Sequence, residues 1–160
     1  MSFLPCYRDC FFCGPHGDGL KMRIEFKDGA VFSDFLLDAK FQGYDTVAHG
    51  GIVTGILDEV MWWTIFALTG KITVTRKIDT EFVRPVYCST LYRVKGKLVD
   101  QHHGNIYASG VIEDGHGKVA TRGNGLYRAA RHITPHELGA KLDFSRVSPD
   151  MKEKLLAALT

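Results

Sequence analysis

A chain of 160 residues with 45% apolar and 24% charged residues has the composition of one soluble globular domain able to bury a core. A formal net charge of +2 without any Lys/Arg run excludes the electrostatic footprint of a nucleic-acid binder. The opening MSFLPCYRDC lacks the basic-then-apolar pattern of a secretory signal, so a cytoplasmic protein is expected.

Residues 1–19 form a cysteine-bearing segment. Cys6, Cys10, Cys13 and His16 give C-x3-C-x2-C-x2-H, ligand types that suit zinc. Small thiols packed in a loop beside Phe11 and Phe12 satisfy the same residues without metal, and the spacing is not a paired C-x2-C framework. No metal and no cofactor is therefore expected in the chemistry. Cys88 is distant and reads as a small buried side chain. Leu20 to Phe26 and Ala30 to Leu37 flank Asp28-Gly29, a dipeptide that closes two-residue hairpins. Lys40 to Ala48 has loop chemistry and delivers the chain to His49.

From His49 to Thr69 runs HGGIVTGILDEVMWWTIFALT. Apolar residues fall on all sides of the wheel, which predicts a helix buried all round. The run nearly reaches the length of a membrane span, but Asp58 and Glu59 at its middle argue against one. A charge inside such a helix is costly unless paired or hydrogen-bonded. An acid there is either satisfied by specific partners or kept for chemistry. For Asp58 the structural reading is a bond to backbone N–H groups or to Thr54, one turn back. Glu59 faces another way, about 100° round the helix, and reads as a solvent or interface acid.

The helix start is the second feature. The first N–H groups of a helix lack internal partners and sit at the positive end of its dipole. Gly50 and Gly51 have no Cβ, so an outside oxygen can approach them closely. Asp58 lies two turns further on, roughly 12 Å at 1.5 Å per residue. One carbonyl can hardly touch both ends of that span, so joint action on one atom requires a second copy of the chain.

Gly70 suits the helix C-terminus. Ile72 to Val83 then alternates, with Ile72, Val74, Ile78 and Phe82 on one face and Thr73, Thr75, Lys77, Asp79 and Glu81 on the other. Arg76 and Thr80 interrupt the apolar face. Strict alternation points Thr75 away from the helix, so a role for it requires a bulge or a partner subunit. Three more strands follow, about Ser89 to Val99, Asn105 to Glu113 and Lys118 to Arg128. His102, His103 and His116 read as exposed residues of their turns. Residues 130–160 form a helical extension: Thr134-Pro135-His136-Glu137 is a capping box, and Ser148-Pro149 opens a last helix. The sum is an α+β domain, an antiparallel sheet with one long helix inserted early.

The stretch FQGYDTVAHGGIVTGILDEVMWW…VTRKIDTEFVRPV resembles the hotdog-fold acyl-CoA thioesterases, and within them the phenylacetate-degradation-type subgroup. CFFCGPHGDGLKM is similar to the Cys-x-x-Cys-Gly…Gly-Leu opening of many members. The resemblance runs over about residues 10–128. It implies a sheet wrapped around the long helix, subunits paired edge to edge as a homodimer or homotetramer, and sites between subunits. It implies that the Gly50 N–H, with Gly51 beside it, polarises a thioester carbonyl while Asp58 of the facing subunit is nucleophile or general base. Thr75 falls where a Ser or Thr helps position water. Gln42 or Gly43 falls where an Asn or Gln contacts substrate or water, and only Gln42 has a side chain to do so.

His49 is expected to hold the loop by hydrogen bonding. Met61, Trp62 and Trp63 line an acyl pocket or form plain core, and a buried Trp N–H needs a partner in either case. Arg76, Arg84 and Arg128 are candidates for the phosphates of coenzyme A. The expected activity is hydrolysis of an acyl-CoA, with neither nucleic acid nor membrane as partner. The alternative is a non-catalytic acyl-CoA binding module on the same fold. A hotdog dehydratase ranks below both, because no His lies on the helix and Trp63 stands five residues after Asp58.

Overall fold

The structure, a computed structural model, describes residues 2–159. The long helix α1 spans Gly50–Thr69, and ten of its twenty residues are buried. Its last turn closes at Gly70, whose φ of 69° places it in the left-handed region and whose N–H donates to the Phe66 carbonyl. Before α1 come short strands β1 (Ser2–Phe3), β2 (Cys6–Tyr7) and β3 (Glu25–Lys27), then β4 (Ala30–Leu36), β5 (Gln42–Tyr44) and β6 (Val47–Ala48). After it come β7 (Thr73–Phe82), β8 (Leu91–His102), β9 (Asn105–Asp114) and β10 (Val119–Ala129). The tail carries α2 (Pro135–Lys141), β11 (Leu142–Asp143) and α3 (Pro149–Ala157).

The main sheet is antiparallel, with seven strands in the order β1-β3-β4-β8-β9-β10-β7. One edge is therefore β7, the strand that directly follows the helix. The turns obey local chemistry. Asp28 and Gly29 both have positive φ, 51° and 80°, and join Lys27 to Ala30. His103 and Gly104 repeat the pattern with φ of 50° and 77°. Two successive left-handed residues give the turn twist that matches paired strands.

Helix α1 sits close on the sheet because glycines make room for it. Gly96, Gly110 and Gly123 lie side by side across β8, β9 and β10. A Cβ on Gly96 would collide with Thr64 Oγ1 and lie 3.0 Å from the Val60 carbonyl. A Cβ on Gly110 or Gly123 would lie 2.9 or 3.1 Å from the Leu57 methyls. Leu57, Val60 and Met61 pack over this row fully buried.

Three expectations change. The strand expected over Leu20 to Phe26 is mostly irregular, and only its end joins the sheet. Its backbone turns to the N-terminal segment instead: the Leu20 N–H donates to the Phe11 carbonyl at 3.0 Å and the Met22 N–H to Phe12 at 2.8 Å. The loop expected over Lys40 to Ala48 contains a one-turn helix at Ala39–Phe41 and the small β5–β6 hairpin. The simple alternation of β7 fails. Tyr127 pairs with Thr75 and Leu126 with Lys77, leaving Arg76 as an extra residue in a bulge. The bulge exchanges the faces of the two halves of the strand, so Thr73 is buried although alternation put it outside.

The C-terminal extension forms as expected. Thr134 and Glu137 exchange both bonds of the capping box. Strand β11 pairs with β2, and Ser148 bonds Ser2 rather than capping α3. Leu138, Leu142, Met151 and Leu155 bury their side chains in the common core.

Candidate active site

His49 is the N-cap of α1, with extended backbone angles of φ −63° and ψ 130°. Its Nδ1 accepts the Gly51 N–H at 2.9 Å, and its carbonyl accepts from Ile52 and Val53. The ring is thus fixed as a helix cap, and its Nδ1 is engaged as an acceptor. The Gly51 N–H is consumed by this cap. The Gly50 N–H has no hydrogen bond among the described residues, so it is the donor left for an outside oxygen. A Cβ on Gly50 would meet the Phe82 ring at 3.3 Å. Phe82 is half-exposed, and Tyr44 and Tyr87 are also exposed large side chains. Gln42 accepts the Thr46 N–H through Oε1 at 3.3 Å and is exposed.

Asp58 is half-buried and held by two hydroxyls. Thr75 Oγ1 donates to Oδ1 at 2.9 Å and lies 3.2 Å from Oδ2. The Tyr127 hydroxyl donates to Oδ1 at 2.8 Å. The bulge at Arg76 is what turns Thr75 toward the helix, so Thr75 reaches the Asp58 of its own subunit. Thr54 does not bond Asp58; its hydroxyl donates to Thr80 at 3.2 Å. Tyr127 is a site residue that the sequence reading missed. Its phenol is pushed well above the ordinary range by burial, with the Asp58 charge adding to the shift. The one sequence signal was Gly125, two residues earlier, whose missing Cβ leaves the space that the Tyr127 ring fills.

Glu59 is neither a solvent nor an interface acid. Its Oε1 accepts the Trp63 indole N–H at 2.9 Å, and its Oε2 faces Cys10 Sγ at 3.5 Å. The cover is the N-terminal segment, whose Phe12 ring lies over Gly55 of the helix with no room for a Cβ between them. Burial, then the neighbouring Cys10 charge, pushes the Glu59 carboxyl up to about 8. Cys10 is drawn down to about 5, chiefly by the hydrogen bond from Cys13, while Cys13 is pushed far up. Cys10, Cys13 and Glu59 place one ligand atom each within 4.8 Å of one another. Cys6 and His16, the other members of the candidate cysteine–histidine set, are not among them; Cys6 lies on β2 and His16 is exposed.

Trp62 is half-buried one turn beyond Asp58. Its N–H donates to the Thr73 carbonyl at 2.8 Å, and its ring stacks on Phe66 with centroids 5.4 Å apart. Arg84 is occupied by the Val119 carbonyl and Asp114, and Arg128 bonds Asn105. A cleft of about 230 Å³ lined by Cys6, Arg23 and Arg146 lies between the chain termini and does not include Gly50 or Asp58.

No family model matches the sequence. A stretch of 71 residues is 35% identical to an uncharacterized protein of Schizosaccharomyces pombe, covering 44% of this chain and 41% of that protein. The chain therefore spans less than half the length of that relative. Among solved structures, a thioesterase superfamily protein is 28% identical with a TM-score of 0.61, covering 66% of this chain and 55% of that one. A phenylacetic acid degradation-related putative thioesterase of Ralstonia eutropha has a TM-score of 0.62 at 21% identity, covering 69% of this chain and 86% of that one. A hypothetical thioesterase of Streptococcus pneumoniae solved with coenzyme A has a TM-score of 0.63 at 19% identity, covering 68% and 88%. The fold is the hotdog fold, and these structural neighbours are thioesterase superfamily proteins.

Proposed function

We propose that the protein hydrolyses an acyl-CoA thioester to a carboxylic acid and coenzyme A, at sites built between two subunits. The observation that carries this reading is the pairing on one helix of a Gly50 N–H without a partner among the described residues and a carboxylate at Asp58 anchored by Thr75 and Tyr127. Coenzyme A in the Streptococcus pneumoniae structure supports the substrate class.

The two groups lie roughly 12 Å apart along α1 in one chain, too far to serve one carbonyl. Strand β7 is a sheet edge, and in the proposed dimer two copies pair along it with the helix start of one beside Asp58 of the other. In the composite site the Gly50 N–H donates to the thioester oxygen, and that bond strengthens as the oxygen gains charge. Asp58 acts as general base. Both hydroxyl donors make their shorter bonds to Oδ1, which fixes the carboxylate and leaves Oδ2 the freer oxygen. Oδ2 takes a proton from water as its oxygen bonds the carbonyl carbon. The tetrahedral intermediate then collapses, the carbon–sulfur bond breaks, and the proton held by Asp58 goes to the departing thiolate. Trp62, one turn on from Asp58, forms part of the acyl wall.

The test is thiol release over a panel of acyl-CoA esters, with Asp58→Asn beside the natural chain. Turnover is expected to vanish in the variant while acyl-CoA binding persists. Binding without turnover in the natural chain would instead establish an acyl-CoA binding module, and unchanged turnover in the variant would remove Asp58 from the mechanism.

A further inference from the structure

Glu59 and the two cysteines above it take no part in the hydrolysis just described. They are nonetheless a set of three metal-ligating side chains with their ligand atoms gathered within 4.8 Å of one another. The turn Cys10-Phe11-Phe12-Cys13-Gly14 has a tight backbone. The Gly14 N–H donates to the Cys10 carbonyl at 2.9 Å, and the Phe12 N–H donates to Cys10 Sγ at 3.3 Å. Only glycine fits at residue 14, where a Cβ would run into the carbonyl oxygens of Cys10 and Arg8. A backbone N–H aimed at sulfur favours a thiolate over a thiol. Such a turn presents two sulfurs from one short loop.

The third group is oriented as well. The Trp63 indole holds Glu59 Oε1, so Oε2 is the oxygen turned toward Cys10 Sγ, 3.5 Å away. Ligating carboxylates are fixed by outer hydrogen bonds of this kind. Tetrahedral zinc, with bonds of about 2.3 Å to sulfur and about 2.0 Å to oxygen, sets ligand separations of about 3.5 Å for S···O and about 3.8 Å for S···S. The Cys10–Glu59 spacing already has that value. All three ligand atoms lie within 4.8 Å of one another, so a small inward shift completes the set.

We propose that Cys10, Cys13 and Glu59 bind one divalent ion of the zinc class, through two thiolates and one carboxylate. The fourth position falls to water on the side of Cys10, which is half-buried while Cys13 is buried. The ion would fasten the N-terminal segment to α1 at the residue beside Asp58. Its role is structural and does not depend on the hydrolytic reading. Uptake displaces protons from the thiols and the carboxyl to solvent, about two per ion, so binding weakens as the pH falls.

The test uses the full chain, reduced and freed of metal, titrated with zinc against a chromophoric chelator and separately with cobalt. One zinc per chain is expected, with proton release, a higher melting temperature, and the near-ultraviolet absorption of thiolate bonded to cobalt. Cys10→Ser and Cys13→Ser should each cut the cobalt band to about half or less, the double variant should abolish it, and Glu59→Gln should weaken zinc about tenfold or more while keeping the fold. Cys88→Ser should change nothing. Two results would overturn the proposal. One is a reduced natural chain that takes up no zinc at micromolar concentration; the other is uptake that survives undiminished in the Cys10→Ser/Cys13→Ser double variant. Both are read on folded natural protein or on stoichiometry, so a misfolded single variant does not decide the matter.

Discussion

Gly50→Pro isolates the backbone donor that hydrolysis requires. Gly50 is the first residue of α1, where proline's fixed φ suits a helix and its missing N–H breaks no internal bond. His49 before it has ψ 130°, within the extended range that proline imposes on its predecessor. The ring would press on Phe82, which is half-exposed and 3.3 Å from a Cβ built at this position, so a small movement accommodates it. The fold should therefore persist while one oxyanion donor disappears. Loss of such a donor costs about 2.7–4 kcal/mol, or roughly a hundredfold to a thousandfold in kcat. The assay is thiol release with kcat and KM resolved, and a melting curve to certify folding. A second measurement asks where the partner group resides. Mixing Gly50→Pro with Asp58→Asn subunits and allowing exchange should restore about a quarter of natural activity. Random exchange makes about half the dimers mixed, and each of these has one intact site of two. A folded Gly50→Pro enzyme with natural kcat would refute the donor. Mixed subunits that stay inactive after demonstrated exchange would refute a site shared between chains.

Tyr127→Phe keeps the buried ring but removes one donor to Asp58. A bond to a charged group is worth about 1.5–3 kcal/mol, so kcat/KM should fall roughly tenfold to a hundredfold without loss of fold, and an unchanged value would sink the anchoring role. Gly96→Ala forces a methyl onto Thr64 and Val60, an overpacking cost of about 1–3 kcal/mol that a urea midpoint should report; full stability would mean that α1 does not sit on the glycine row. In metal-free protein the hydrogen bond from Cys13 lowers Cys10 to about 5 and burial raises Glu59 to about 8, so the two groups act on stability in opposite directions between these limits. In Glu59→Gln the lowered Cys10 remains, and stability should rise with pH across this window, being lost as pH falls through the folded value. In Cys10→Ser the raised Glu59 remains, and stability should decline as pH rises through its folded value. Each slope approaches about 1.4 kcal/mol per pH unit, and parallel urea profiles for the two variants would refute the opposite shifts.

Helix α1, the Asp-Gly hairpin and the Thr134 capping box were all legible in the sequence. Each is fixed by residues within a few positions of one another: an apolar run, a left-handed dipeptide, a Thr with Glu three residues on. What escaped depends on distant partners. Nothing local marks Arg76 as the extra residue of a bulge, because the mismatch exists only against the register of β10. The sequence could say only that Thr75 needs a bulge or a partner subunit to act; the register of β10 decides for the bulge, and Thr75 serves Asp58 in its own subunit. Tyr127 escaped because the partner of its hydroxyl lies 69 positions away in the chain. Glu59 read as a solvent or interface acid because the cover over it is a loop 49 residues earlier, whose backbone has no period to read.

The two adjacent acids of α1 thus divide a task that the sequence presented as one. Their 100° separation on the helix sends Asp58 toward β7 and β10 and Glu59 toward the N-terminal loop. Among the described residues Asp58 is met by hydroxyls, which donate without carrying charge and leave its oxygens open to a proton in flight. Glu59 is enclosed by an indole and thiols, a setting that disfavours its charge until a cation arrives. Exchanging the two partner sets would defeat both: a carboxyl under the loop would lose the hydroxyls of Thr75 and Tyr127, and one at the β7 edge would have no sulfur beside it. The order Asp-Glu is therefore directional, and an Asp58→Glu/Glu59→Asp double variant should lose both hydrolysis and zinc, although its composition and net charge are unchanged. Retention of either function would show that side-chain reach at these positions is looser than the bond distances require.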